Sequence, residues 1–142
     1  MRNRLHKFIF AFTLLELLVV LVILGLLAGL VGPQVLKQLG GSKTKTASLQ
    51  IKELGTALDL FRLEVGRYPS SSEGLEALLV PPASIRGWNG PYLTKKNLPQ
   101  DPWGNDYQYR NPGQNGEYDL FSLGADNQEG GEGEAQDVVS WE

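Results

Sequence analysis

From Phe8 to Val31 the chain reads FIFAFTLLELLVVLVILGLLAGLV, 24 residues of which only Thr13 and Glu16 are polar. As a helix this run spans about 36 Å at ~1.5 Å per residue, against a hydrocarbon core about 30 Å thick. A chain of 142 residues has too little other mass to wrap such a helix in a soluble core. The run is therefore expected to cross a membrane with some tilt. A secretory signal has a shorter apolar region, about 7–15 residues, followed by a small-x-small cut site; here Gly32-Pro33 follows instead.

Charge is distributed unevenly around this run. Residues 1–11 carry Arg2, Arg4 and Lys7 and no acid, while residues 126–142 carry six acids and no base. The net charge of −3 argues against a nucleic-acid binder that works by phosphate neutralisation. Lys37, Lys43 and Lys45 follow the span closely, so the basic count on its two sides is nearly tied. The shortness of the head favours a cytoplasmic N-terminus and an exported C-terminal part.

Glu16 is the anomaly. A carboxylate at mid-span costs on the order of 2.5–3.5 kcal/mol, and such residues carry function by default. No cation lies within the span. If the chain were cut before Phe12, a new α-amine would appear four residues from Glu16, and an amine on a neighbouring copy could pair with it. A position near the headgroups, with the carboxyl protonated or wetted, is the plainer alternative.

The run Ala11-Phe12-Thr13-Leu14-Leu15-Glu16-Leu17, behind a short basic leader, resembles the class III signal of type IV pilins and pseudopilins. The resemblance implies that a prepilin peptidase cuts between Ala11 and Phe12 and N-methylates Phe12, and that Glu16 guides subunit assembly. Ala11 stands where that family carries Gly. Gly25-x-x-x-Gly29 has the spacing that lets membrane helices approach closely, though glycine is frequent in such helices anyway. Pro33 removes a backbone donor and is expected to loosen or kink the helix.

Residues 34–65 continue as a predicted helix. Ala47, Ile51, Leu54, Leu58, Phe61 and Val65 step by 4, 3, 4, 3, 4, the spacing of one apolar face that should pack under a C-terminal sheet. Gly40-Gly41 is a possible bend. An unbroken helix over 12–65 would be about 80 Å long, a shape natural for a filament subunit. Gly66-Arg67-Tyr68-Pro69 should end it. A short helix capped by Ser71 or Ser72 is expected to run to about Leu79, stopped by Pro81-Pro82.

Residues 83–105 hold tryptophans and tyrosines among Gly and Pro; they read as loops anchored to the core, with a sugar-binding face as the alternative. Strands are expected at Asp106–Arg110 and Glu117–Leu123, joined as a hairpin by Asn111-Pro112-Gly113-Gln114-Asn115-Gly116. Catalysis has little support: there is no cysteine, the one histidine is His6 in the leader, and no nucleophile–base pair can be named.

Residues 122–137 combine oxygen donors with glycines. Calcium takes six to eight oxygens at about 2.3–2.6 Å from a flexible loop, but the spacing here matches no EF-hand. By composition alone a solvated acidic tail is the simpler reading. Val138, Val139 and Trp141 nevertheless give the chain end something to dock with, which would close 124–137 into a loop.

Tyr68-Pro69-Ser70, Glu73-Gly74-Leu75-Glu76-Ala77-Leu78, Gly90-Pro91-Tyr92-Leu93, Asp101-Pro102-Trp103-Gly104 and Leu120-x-Ser122-Leu123-Gly124-Ala125-Asp126 together resemble the major pseudopilins of the type II secretion system. The resemblance implies an α+β, type IV pilin-like fold: a long N-terminal helix, half membrane and half amphipathic, packed on a small antiparallel sheet. It divides the chain into a leader (1–11), a membrane and filament-core helix (12–32), an amphipathic helix (33–66) and a periplasmic part (67–142). It also implies calcium (Ca2+) in the C-terminal loop, with Asp126 first, the Leu123 and Gln128 carbonyls next, and Asp137, Glu132 and Glu134 less closely matched.

The implied role is a non-enzymatic, single-pass inner-membrane subunit, N-in, polymerising into a periplasmic pseudopilus that drives protein export. Its partners would be copies of itself, minor pseudopilins, the prepilin peptidase, an inner-membrane assembly platform and an outer-membrane secretin. A type IV pilin for adhesion or DNA uptake, and a membrane-tethered calcium-dependent binding module, are the alternatives.

Overall fold

The structure, a computed structural model, describes residues 11–142; most of the leader, including Arg2, Arg4, His6 and Lys7, lies outside the described residues. The chain divides into two compact units, one ending at Gln38 and the other comprising Leu39–Glu142.

Helix α1 runs from Leu14 to Val65 and includes Pro33. Neither Pro33 nor Gly40-Gly41 terminates it, so residues 34–65 continue the helix as expected. One proline removes a single i→i−4 hydrogen bond, and flanking turns can carry the helix past it. In the first unit α1 exposes its apolar side chains throughout, from Leu14 to Leu36. An 18-residue window within it is long and apolar enough to cross a membrane.

In the second unit the predicted stripe is the core. Ala47, Ile51, Leu54, Leu58 and Phe61 are buried, joined by Ala57, while Val65 packs half-buried at the margin. They meet Leu75, Ala77, Leu78, Tyr107, Leu120 and Val138. Fully burying a leucine or phenylalanine of this kind contributes about 1.5–3 kcal/mol each. The loop aromatics anchor to this core as expected. Trp88 donates its indole N–H to the Ala77 carbonyl at 2.8 Å, and Tyr92 meets both Phe61 and Trp88 edge-on.

Residues 71–79 differ from expectation. Only Leu75–Leu78 is helical, as a 3-10 turn. Gly74 at φ 62° interrupts any α-helix starting earlier. The reciprocal contact expected of a cap belongs to Ser70, not Ser71 or Ser72: Ser70 N donates to Glu73 Oε2 at 2.8 Å, and Glu73 N donates to Ser70 Oγ at 3.2 Å.

The sheet has three strands in the order β1 (Gln108–Arg110), β2 (Asp119–Ser122), β3 (Val138–Val139), both pairs antiparallel. The first two are the predicted hairpin, shortened at its ends. All four residues of β2 are buried, so the strand has no solvent face. It is the central strand, and its outer residue Phe121 is roofed by the Arg110 guanidinium, 4.9 Å from the ring centroid, and by Trp141. The chain end docks as β3, with Ser122 opposite Val138 and Phe121 opposite Val139.

Candidate functional site

Two places carry the residues singled out in the sequence, one in each unit. At the start of α1, the Thr13 amide donates to Glu16 Oε2 at 2.9 Å and the Glu16 amide donates to Thr13 Oγ1 at 3.2 Å. This is a capping box: two otherwise orphaned N–H groups of the first turn are satisfied reciprocally. The Thr13-x-x-Glu16 spelling is its signal in the sequence. Among the described residues the partner of the carboxylate is thus the neutral Thr13 amide, which donates to Oε2. Phe12 is 85 % exposed and Leu14 88 %. Ala11 and Phe12 precede the helix.

The second place is the loop between β2 and β3. Its root is a buried pair that the sequence reading did not single out. Ser122 donates its hydroxyl to Asp101 Oδ2 at 2.6 Å. Asp101 Oδ1 accepts from the amides of Trp103 (3.1 Å) and Asn105 (2.8 Å), and the Gly124 amide donates to Ser122 Oγ at 3.2 Å. The Asp101-Pro102-Trp103-Gly104 turn and the Ser122-Leu123-Gly124 segment are thereby locked together. Its signal in the sequence is an aspartate, Asp101, opening a Pro/Gly turn.

Beyond this root the chain closes on itself instead of forming a free tail. The Ala125 amide donates to the Glu134 carbonyl at 2.8 Å, and the Asn127 amide to the Gly124 carbonyl at 3.3 Å. Gly124 sits at φ 69°, where a Cβ would lie 2.7 Å from the Gln136 carbonyl oxygen and 2.8 Å from that of Glu134. Asp126 Oδ1 accepts from the Gln128 amide at 3.1 Å. Asp137, adjoining β3, accepts from the Gly130 amide through Oδ2 at 3.0 Å. Its other oxygen, Oδ1, is buried with no hydrogen-bond partner among the described residues.

An orphaned buried carboxylate oxygen asks for a cation or a proton donor. A hard cation fits this chemistry, because Asp126 and Asp137 supply carboxylates and the Leu123 and Gln128 carbonyls are neutral oxygens on the same loop. Among the described residues, no three His, Cys, Asp or Glu side chains gather where they could hold a metal. Carbonyls would therefore have to supply much of any shell. The remaining two acids lie otherwise. Glu132 is exposed, and the Glu134 side chain lies on α1 against Gly40, where an added Cβ would meet its Cγ at 2.5 Å.

Two charged groups brace this unit. Arg67 forms a two-pronged pair with Glu73 at 2.7 and 2.8 Å, which holds the Glu73 carboxyl at a pKa of about 2. Burial pushes the Asp119 carboxyl up, but the amides of Gln114 and Asn115, the Asn115 side chain and the Arg110 charge together hold it below the usual value.

Residues 34–141 match the family described as "Type II secretion system (T2SS), protein G". Proteins named type II secretion system core protein G are similar along most of their length. That of Pseudomonas aeruginosa is 47 % identical over 134 residues, covering 92 % of this chain and 94 % of its own. That of Vibrio cholerae is 47 % identical over 133 residues, covering 92 % and 90 %. The solved major pseudopilin from the type 2 secretion system of enterohaemorrhagic Escherichia coli superposes with a TM-score of 0.61 at 35 % identity, covering 71 % of this chain and 88 % of that one. With its helix-and-sheet fold, its uncovered apolar helix and this similarity along nearly the whole chain, the protein belongs to the protein G family of the type II secretion system.

Proposed function

We propose that this chain is the major pseudopilin of a type II secretion system, a structural subunit that polymerises into a periplasmic filament and thereby drives folded proteins through an outer-membrane secretin. The observation that carries the reading is the helix start. A capped carboxylate, Glu16, opens a helix whose every apolar side chain from Leu14 to Leu36 is exposed, while the second unit folds around its own core. Such a helix can rest in a bilayer as a monomer or against sister helices in a filament. Residues 1–11 are removed by a prepilin peptidase, Phe12 becomes the methylated N-terminus, and its amine on one copy meets Glu16 of the next. The leader lies on the cytoplasmic side and residues 67–142 in the periplasm. Minor pseudopilins and an inner-membrane platform complete the assembly, and no step in it requires this chain to be an enzyme.

In this reading calcium belongs to the β2–β3 loop. Asp126, Asp137 and the Leu123 and Gln128 carbonyls would hold it; Glu132 is near enough in sequence to join, and Glu134 would have to leave Gly40. Bound there, it would supply a positive charge opposite the Asp137 oxygen that lacks a partner and the loop's surplus negative charge, and its binding free energy would add to folding free energy.

Two measurements test the assembly reading. Mass spectrometry of the membrane-bound protein should find a methylated Phe12 at the N-terminus; an intact Met1 counts against it. Glu16→Ala should still insert but yield no crosslinked multimers and no export. A tethered binding module, or any reading without assembly, keeps full function in that variant.

A further inference from the structure

Strand β1 is an edge of the sheet, and its neighbours fix which way its peptide groups point. The Leu120 amide donates to Ser140 Oγ at 3.2 Å, and the Ser140 amide donates to the Leu120 carbonyl at 2.9 Å. The N–H and C=O of Leu120 therefore face the β3 side. Consecutive strand residues present these groups to opposite sides, so Asp119 and Phe121 face β1, where they stand opposite Arg110 and Gln108. Tyr109, opposite Leu120, turns its N–H and C=O away from β2. The outward positions on either side of it are engaged. Ser71 Oγ accepts from the Asn111 amide at 2.9 Å and donates to the Asn111 carbonyl at 3.0 Å, and Gln100 bridges Asp106. Among the described residues no group hydrogen-bonds the N–H or C=O of Tyr109 on that outer side.

A groove of about 750 Å³ adjoins this open edge, lined by Leu75, Leu79, Val80, Leu98, Tyr107 and Tyr109 among others. The two tyrosine hydroxyls are already engaged, that of Tyr109 with the Pro69 carbonyl at 2.7 Å and that of Tyr107 with Gln50. From Tyr107 to Asn111 a strand covers about 13 Å at ~3.3 Å per residue, room for about three residues of a pairing chain between the two engaged ends. We infer that this groove docks an extended segment of another protein, which adds a short strand to β1: its backbone pairs with Tyr109, and an apolar side chain enters the groove. Main-chain pairing then gives affinity, and the groove selects the side chain. A sugar would lean on hydroxyl partners, and the tyrosines have none to spare. A second copy fits poorly, because its β1 is flanked by the same segments around Ser71 and Gln100, and β3, the other sheet edge, is only two residues long. The inference concerns the second unit alone and is independent of the filament reading.

Exchange of single amides, followed by NMR on the full chain in detergent, provides the test. In the free chain the Tyr109 amide is expected to exchange fast, while those of Gln108 and Arg110, turned toward β2, exchange slowly. The probe is the blocked peptide acetyl-Ser-Val-Thr-Val-Ser-amide, whose β-branched residues favour extended chain. In excess it is expected to slow Tyr109 by about tenfold or more and to leave Gln108 and Arg110 as they were. The same peptide N-methylated at its central residue lacks the donor for the Tyr109 carbonyl and should leave Tyr109 fast. Val80→Glu places a charge at the groove and should abolish the slowing. Val80 is 61 % exposed, and continued protection of Gln108 and Arg110 in the variant reports an intact sheet.

Unchanged exchange at Tyr109 in saturating peptide overturns the proposal. So does equal slowing by the N-methylated peptide, which would reveal apolar adhesion without strand pairing, or full slowing in Val80→Glu with the sheet intact. A Tyr109 amide that is already slow without peptide, and faster only when the chain is diluted, would assign the edge to a second copy and overturn it as well.

Discussion

The hydroxyl of Ser122 and the carboxylate of Asp101, 2.6 Å apart and both buried, join the last turn before β1 to the end of β2. The mouth of the loop is tied to that pair, because Ser122 Oγ also accepts the Gly124 amide. Ser122→Ala should therefore cost about 1–3 kcal/mol, the penalty for stripping a partner from a buried charged group. Asp101→Ala should cost more, since it also frees the Trp103 and Asn105 amides. Urea unfolding of the detergent-solubilised chain, followed by tryptophan fluorescence, gives both values. An effect below 0.5 kcal/mol in each variant would show that the pair is incidental.

The linkage between Glu73 and Arg67 predicts an acid response. The folded pKa of Glu73 is about 2, below an unfolded value of about 4.3. Between these values the unfolded chain binds more protons, so the stability Glu73 supplies is whole above about pH 5 and is lost as the pH falls toward 2. Asp119, also depressed, acts in the same direction. Glu73→Gln should lower stability at pH 7 by about 1–2 kcal/mol and flatten the slope below pH 5. A slope identical to wild type would contradict the assigned pair.

Much of this architecture can be read from spacing. The stripe from Ala47 to Phe61 is buried as its period requires, and the turn-rich 111–116 segment does join two antiparallel strands. What could not be read depends on contacts distant in sequence. β2 has no solvent face because its outer residue, Phe121, is covered by Arg110 and Trp141, some ten and twenty residues away. The helix expected from Ser71 fails because a left-handed Gly74 is a backbone state, not a residue type. At the acidic loop, composition read alone pointed to a solvated tail, and the chain instead closes into a loop. Composition could not reveal that Asp137 would have one buried oxygen unpartnered while Glu134 reached away to Gly40.

That unpartnered oxygen predicts metal dependence. With calcium a hundredfold above its dissociation constant, binding to the folded state alone stabilises by about 2.7 kcal/mol. A calcium chelator should therefore lower the unfolding midpoint of wild type by several degrees. Asp137→Ala should start from the lower midpoint and be indifferent to chelator, and Asp126→Ala should behave similarly. Magnesium should substitute poorly, since it demands tighter octahedral geometry. Differential scanning calorimetry with and without chelator decides this, and equal midpoints for the wild-type chain would remove calcium from the loop.

Gly124 supplies the last prediction, which needs no metal. Its backbone at φ 69° places a substituent's Cβ between the carbonyl oxygens of Gln136 and Glu134, at 2.7 and 2.8 Å. Both are backbone atoms of the returning strand of the loop, so neither can turn aside as a side chain would. Gly124→Ala carries a left-handed penalty of about 1–2 kcal/mol and also forces the Ala125–Glu134 hydrogen bond apart. A total loss of about 2–4 kcal/mol is expected. Because Asp137 adjoins β3, the damage should extend into the sheet. Hydrogen exchange should quicken at Val138, Val139 and Ser140 while Ile51–Phe61 of α1 stay protected. Equal protection at Ser140, whose amide donates to Leu120 at 2.9 Å, would mean that β3 holds without the loop closed behind it.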